Sequence, residues 1–319
     1  MSQKIIIDTD PGVDDAMAIQ LAFNSPELDV IGLTTVFGNV GIDLTTENTL
    51  RLVELAGRPD VPVARGAAKP LHGIFNGGVP FVHGDDGQGN TFRPQSSLKS
   101  IELDAADFII EQLKKHPGEI ILVPVGPLTN LALALQKAPE IQNLVKEVVI
   151  MGGNAFCPGN ATPTAEANIY SDPEAADLVF GAEWSVTMVG LDVTHKVFLS
   201  KEQLAEIGKG TSAINQHVAA AYVFYQDFFM KTNQIDGSFI HDSSAIAYVI
   251  DKSIFTTVQH PVRVETADCI SRGKVWPLLG DSDHEERPAL RAWAGRPKVN
   301  ICVDVAGEKV VDLLMKRLH

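Results

Sequence analysis

The chain predicts an α/β fold, a mostly parallel central sheet with helices on both faces, on three observations. From residue 4 to residue 189, short β-branched runs alternate with stretches of helical periodicity. The strand candidates are nearly continuous apolar runs, the composition of strands covered on both faces. The first run, Ile5-Ile6-Ile7, leads straight into an acidic turn that opens a helix. In open α/β sheets ligands collect at the carboxyl ends of strands.

In chain order, residues 4–9 are a strand by their three isoleucines, and 14–24 a helix opened by two acids. Residues 28–35 read as a strand and 44–56 as a helix. Residues 101–116 are helical, 120–125 a strand, and 128–138 a helix after Gly126-Pro127. A strand at 147–151, a helix at 173–180 and a strand at 185–189 continue the alternation. The second half adds helices at 213–231 and 243–250, strands at 262–265 and 298–303, and a closing helix at 306–317. Gly-rich loops are expected at 72–90, 152–164 and 273–297. The first is long enough to be a lid or binding loop. No linker or repeat divides the sequence, so residues 1–319 are expected to form one domain with a helical addition in the C-terminal half.

Composition narrows the function. A formal net charge of −14 argues against nonspecific binding to nucleic acid or to anionic membranes. Three cysteines, Cys157, Cys269 and Cys302, lie far apart with no C-x-x-C, which speaks against a zinc site or a disulfide framework. The amino end has the pattern of neither a signal peptide nor a membrane span, and a cytoplasmic location is the expectation.

The chemistry concentrates in residues 8–15, where Asp8, Asp10, Asp14 and Asp15 flank Pro11-Gly12. Two like charges ~4 Å apart cost about 4 kcal/mol at an effective dielectric of about 20. Helix capping accounts for one or two of these acids, not four. A cation, or an acid kept protonated for chemistry, accounts for the rest. All candidate ligands are oxygens, so the ion should be hard, Ca²⁺ or Mg²⁺. One turn cannot complete a calcium shell. The remote candidate is His241-Asp242, ahead of the apolar helix AIAYVI, where a carboxylate stands beside an imidazole; an N-cap aspartate with an incidental histidine is the plainer alternative.

Other residues offer weaker signals. Val125, at a strand end before Gly-Pro, can turn its carbonyl outward, although an ordinary turn explains it as well. Asn160, Glu166 and Asn168 share one loop, and Glu166 and Asn168 point the same way if that loop is extended. Asn39 follows the strand at 28–35 and reads equally as a turn residue. His83 lies in the long loop. His195 reads as structural, and Phe224, Tyr225, Phe228 and Phe229 as core, with one ring able to stack on a base.

These residues sit in stretches that resemble one family. DTDPGVDDAMAI is similar to the amino-terminal signature of the inosine–uridine-preferring nucleoside hydrolases. TTVFGNV, ARGAAKPL, VHGDDG, LVPVGPLTNLALAL, EVVIMGG, GNATPTAEANIYSDPEAA, VTMVGLDVTH and IHDSSAIAYVID follow in the family's order, from residue 4 to about residue 253. The resemblance implies an open, Rossmann-like fold, hydrolysis of the N-glycosidic bond of ribonucleosides, one Ca²⁺, and a homodimer or homotetramer. It implies Asp10, Asp15, Asp242 and the Val125 carbonyl as metal ligands. Asp14, Asn39, Asn160, Glu166 and Asn168 would hold the ribose, His83 would sit in the lid, and His241 would face the base. Asp10 would activate the attacking water and His241 assist the departing base. The chain departs from the pattern at Ala167, where Phe is frequent, in a shorter 213–239 region, and in a longer charged segment at 273–297 with Asp281, Asp283, Glu285, Glu286 and Arg287. Base preference therefore does not carry over. Two other functions fit the acids alone: a Mg²⁺ phosphohydrolase using Asp8-x-Asp10, and a non-catalytic, calcium-stabilised nucleoside- or sugar-binding protein.

Overall fold

A computed structural model describes residues 2–280 and 287–318; Asp281, Asp283, Glu285 and Glu286 of the charged segment lie outside the described residues. The chain begins β1 (Gln3–Thr9), α1 (Val13–Phe23), β2 (Leu28–Thr35), α2 (Ile42–Leu55), β3 (Val63–Arg65) and α3 (Pro80–His83). It continues α4 (Ala105–Lys115), β4 (Ile121–Pro124), α5 (Thr129–Lys137), β5 (Glu147–Met151), α6 (Ala167–Ser171), α7 (Pro173–Phe180) and β6 (Val186–Val189). Then follow α8 (Leu191–Thr194), β7 (Phe198–Ser200), α9 (Lys201–Ile207), α10 (Ala213–Asn233), β8 (Gly237–Phe239) and α11 (Asp242–Ile250). The last elements are β9 (Phe255–Val264), β10 (Val275–Pro277), β11 (Lys298–Val305) and α12 (Gly307–Leu318).

Nine strands form one sheet in the order β10-β9-β11-β6-β5-β4-β1-β2-β3. From β3 to β11 every pairing is parallel, which accords with the α/β expectation. Two antiparallel pairings, β11 with β9 and β9 with β10, finish one end. The late strand expected at 262–265 is the tail of the longer β9, whose first half is mostly exposed and polar and so lacks the apolar run. The helix expected at 101–116 begins only at Ala105. Asp104 caps it by accepting from the Asp107 N–H, and Ile101 instead bridges to Ala64 beside β3. The 72–90 loop contains the short α3, and the 273–297 loop contains β10.

Apolar side chains alternate across the sheet and build two cores. Ile5 and Ile7 point to one, with α1, α10, α11 and α12; Ile6 points to the other, with α4, α5 and α7. Asp172 ties the second layer to the loops: it caps α7 through the Ala175 N–H (3.1 Å) and also accepts from Thr129 Oγ1 (2.7 Å) and the Leu71 N–H (2.8 Å). Capping of this kind is worth about 1 kcal/mol.

β1 has β2 on one side and β4 on the other, so the chain reverses its progress across the sheet between them. The crevice beyond the carboxyl ends of β1 and β4 is the topological switch point. Among the described residues no helix is long and apolar enough to cross a membrane.

Candidate active site

Three elements converge on that crevice. The turn after β1 supplies Asp10, the first turn of α1 supplies Asp14 and Asp15, and α11 starts at Asp242 with His241 as its N-cap. Packing of α1 on α11 brings residues more than two hundred positions apart in the chain side by side. Asp14, Asp15 and Asp242 present carboxylate oxygens within 4.8 Å of one another, all buried. Two of these, Asp15 and Asp242, belong to the metal set implied by resemblance. Asp14, assigned there to the sugar, faces the same point.

Asp15 is held rigidly: Thr9 Oγ1 donates to it at 2.5 Å and the Gly12 N–H at 2.9 Å, the latter closing the first turn of α1. A side-chain hydrogen bond joins Asp15 to Asp242. Asp10 accepts from the Asn39 N–H at 2.8 Å through Oδ2, and its buried Oδ1 has no protein partner. A Cβ on Gly38 would lie 1.9 Å from Asp10 Oδ2, so only glycine lets the β2 loop close over this carboxylate. Asp8 lies deeper. Its Oδ1 accepts from Thr34 Oγ1 (2.6 Å) and Asn130 Nδ2 (2.7 Å), anchoring β1 to its neighbours rather than facing the crevice.

Burial raises the pKa of every one of these acids, and neighbouring carboxylates raise Asp10, Asp14 and Asp242 further. Burial pushes Asp8 up to about 7. Burial and the adjacent Asp15 push Asp14 up to about 8. Asp10 and Asp242 are raised well above the usual range by burial, with Asp15 adding at Asp10 and Asp14 at Asp242. Among the described residues no lysine or arginine forms an ion pair with Asp10, Asp14, Asp15 or Asp242; the nearest cationic candidate is His83, 3.9 Å from Asp14. Four buried acids without counter-charge, and an orphaned oxygen on Asp10, match what a hard cation requires. They fit a phosphate poorly, because a phosphoryl group needs basic partners.

Along one wall stand residues suited to a polyol. Asn168 Nδ2 donates to the Val125 carbonyl (2.8 Å) and the Met151 carbonyl (3.1 Å), joining the ends of β4 and β5. Glu166 caps α6 by accepting from the N–H groups of Asn168 (2.9 Å) and Ile169 (3.1 Å), and also from Gly153 (2.8 Å). Burial raises its carboxyl, against these donors. Asn39 Nδ2 reaches the Asp10 carbonyl and Asp15 Oδ2, both at 3.3 Å. Asn160 is exposed and accepts from the Ala167 N–H (3.0 Å), so in this state it braces the loop rather than joining the acids.

Over Gly12, beside Asn39, His83 Nδ1 accepts from the Val13 N–H (3.0 Å) and its ring stacks on Tyr225 at 5.4 Å. Tyr225 in turn hydrogen-bonds Asp14. His241 Nδ1 lies 2.8 Å from Thr194 Oγ1 at the end of α8, and its ring meets His195 edge-on at 5.6 Å. Burial lowers both His83 and His241 to about 3, so both rings are neutral at pH 7. Sequence reading passed over Thr9, Asn130, Thr194 and the Tyr225 hydroxyl as site residues. Only Tyr225 carried a signal, its place in an aromatic run, and that run read as core.

The family model described as inosine-uridine preferring nucleoside hydrolase matches residues 5–312. Uridine nucleosidase 1 of Arabidopsis thaliana is 40% identical over 99% of this chain and 93% of its own length. A plant nucleoside hydrolase of solved structure is 40% identical and superposes with a TM-score of 0.93, covering 100% of this chain and 99% of that one. The purine-preferring ribonucleoside hydrolase of Gardnerella vaginalis superposes with a TM-score of 0.90 at 33% identity, covering 99% and 98% of the two chains. With its acids gathered at the switch point and its whole length matched, the chain belongs to the inosine–uridine-preferring nucleoside hydrolase family, enzymes that cleave N-glycosidic bonds.

Proposed function

We propose that this chain is a calcium-dependent ribonucleoside hydrolase releasing ribose and free base. The observation that carries the reading is the convergence of Asp14, Asp15 and Asp242, with Asp10 beside them and its Oδ1 unpaired. Asp10, Asp15, Asp242 and the Val125 carbonyl would hold Ca²⁺, with Asp14 able to complete the set. Bound there, the ion supplies positive charge that neutralises the acids and fixes the vicinal hydroxyls of a ribose.

The protein's own groups then divide the work. Rupture of C1′–N builds positive charge on the sugar, as in other glycoside hydrolyses, and the surrounding carboxylates stabilise it. Asp10 accepts the proton of the attacking water. Asp14, Asn39, Glu166 and Asn168 orient the ribose, Asn160 braces their loop through the Ala167 N–H, and His83 covers the sugar from the lid loop. His241 serves the leaving base. Its ring is neutral, so it acts as a hydrogen-bond donor rather than as a store of an extra proton. For Nε2 to carry the N–H, the Thr194 hydroxyl must donate to Nδ1. Direct attack by water predicts inversion at C1′. The continuous sheet supports treating the chain as one unit, family resemblance supports a homodimer or homotetramer, and the sparse, scattered cysteines support a cytoplasmic location.

The test is a panel of inosine, adenosine, uridine, cytidine and 2′-deoxyinosine, with and without chelator. Release of ribose from the ribosides, lost on chelation and restored by Ca²⁺, is the expected result. Tight binding of intact inosine with no ribose released would favour a binding protein instead.

A further inference from the structure

Behind the acid turn stands a polar pair that the reaction does not touch. Gln88 is buried between that turn and α10. Its Nε2 donates to the Gly12 carbonyl at 2.6 Å and reaches the Pro11 carbonyl at 3.3 Å, and its Oε1 lies 2.8 Å from His217 Nε2. The amide nitrogen is committed to carbonyls, so Oε1 must accept and His217 Nε2 must carry the proton. His217 is itself fully buried on α10, and its Nδ1 has no partner among the described residues. Burial lowers it to about 4, with Arg93 and Arg51 contributing, which leaves a neutral ring with its single proton on Nε2.

The segment that carries Gln88 is fixed rather than loose. The Asp86 carboxylate accepts from the N–H groups of Gln88 (2.7 Å), Asn90 (2.8 Å) and Phe92 (2.7 Å). Asn48 Nδ2 bridges the carbonyls of Asp86 (2.9 Å) and Pro11 (3.2 Å). Gly89 has φ +66°, and a Cβ there would lie 2.4 Å from the Ala221 carbonyl, so this stretch is pressed against α10. The Pro11 and Gly12 carbonyls lie between Asp10 and the Asp14-Asp15 pair, and their orientation sets where three of the acids point.

We propose that His217 and Gln88 act as positioning residues for the cation site: His217 orients the Gln88 amide, which fixes the turn carrying Asp10, Asp14 and Asp15 against Asp242. This rests on the calcium reading above. Partners one step behind metal ligands typically change metal affinity 10–100-fold. Hydrocarbon of the same shape would serve as well if the pair only filled space.

The experiment compares the full-length native protein with H217L, H217Q and Q88L. Calcium affinity is read by isothermal titration of chelator-stripped protein, alongside melting temperature and kcat and KM for inosine and uridine. H217L and Q88L are expected to bind Ca²⁺ about tenfold or more weakly, with kcat reduced more than KM. H217Q, which keeps an N–H donor toward Gln88, should recover most of the loss. Native calcium affinity in Q88L, which is close to glutamine in shape, overturns the proposal even where H217L is unstable. Equal weakening in H217Q and H217L overturns it too. If the native protein neither binds Ca²⁺ nor releases ribose, the calcium reading itself has failed; an active native protein with unaffected variants removes only the positioning pair.

Discussion

Asp10 is the buried carboxylate with one oxygen tied to the Asn39 N–H and the other without a protein partner. D10N keeps the shape and removes the basicity, and kcat on inosine and uridine should drop by about 10²–10⁴-fold; a native rate would dismiss its role as base. H241A should slow inosine and uridine by a similar factor, yet slow a riboside of an electron-poor phenol much less, since that leaving group departs without a proton. Equal loss on all three substrates would place His241 in folding or sugar binding instead. Thr194→Val tests the ring orientation and should mimic part of the H241A defect with the phenol riboside spared. These acids were legible in the sequence because crowding of like charge within eight residues has few physical explanations. Thr9, Asn130 and Thr194 were not legible. A single hydroxyl or amide bonds its target across space, and its surroundings in the chain look like any strand end or turn.

At the scale of elements, strands set the direction of the acids and short loops set their distance. The loop after β2 closes over Asp10 only because residue 38 lacks a Cβ, which would stand 1.9 Å from Oδ2. Gly38→Ala should therefore cost activity heavily while leaving the far-ultraviolet circular dichroism native; full activity would show that Asp10 has room to move. Strand β2 and helix α7 begin and end where periodicity, and for α7 the proline at its first position, set them. α6, α8, β7 and β8 escaped because elements of three to five residues span too little chain to show a period. The antiparallel end was legible only in part: β11 and the tail of β9 showed as apolar runs, but the wet first half of β9 has no such run, and pairing direction leaves no mark in a single sequence.

Taken as a whole, the molecule holds acids whose ionisation opposes folding unless a cation is present. Unfolded, these carboxyls titrate near 3.9. Folded, Asp8 is raised to about 7 and Asp14 to about 8, with Asp10 and Asp242 also raised. A raised folded value means the native state binds more protons over that interval, so stability present at low pH is lost as pH climbs through the folded values. In chelator, the melting temperature should fall from about pH 5 to about pH 8, and added Ca²⁺ should raise it most at the alkaline end. A flat profile in chelator, or an equal calcium effect at both ends, would contradict this. The meeting of α1 with α11 has one further consequence. During synthesis the amino-terminal acids leave the ribosome long before residue 242 exists, so a growing chain has Thr9, Gly12 and Asn39 to hold them but not the fourth carboxylate. On the calcium reading, ion capture would then be a closing event, and a protein truncated ahead of α11 would carry the signature motif without the Asp242 carboxylate that seals it.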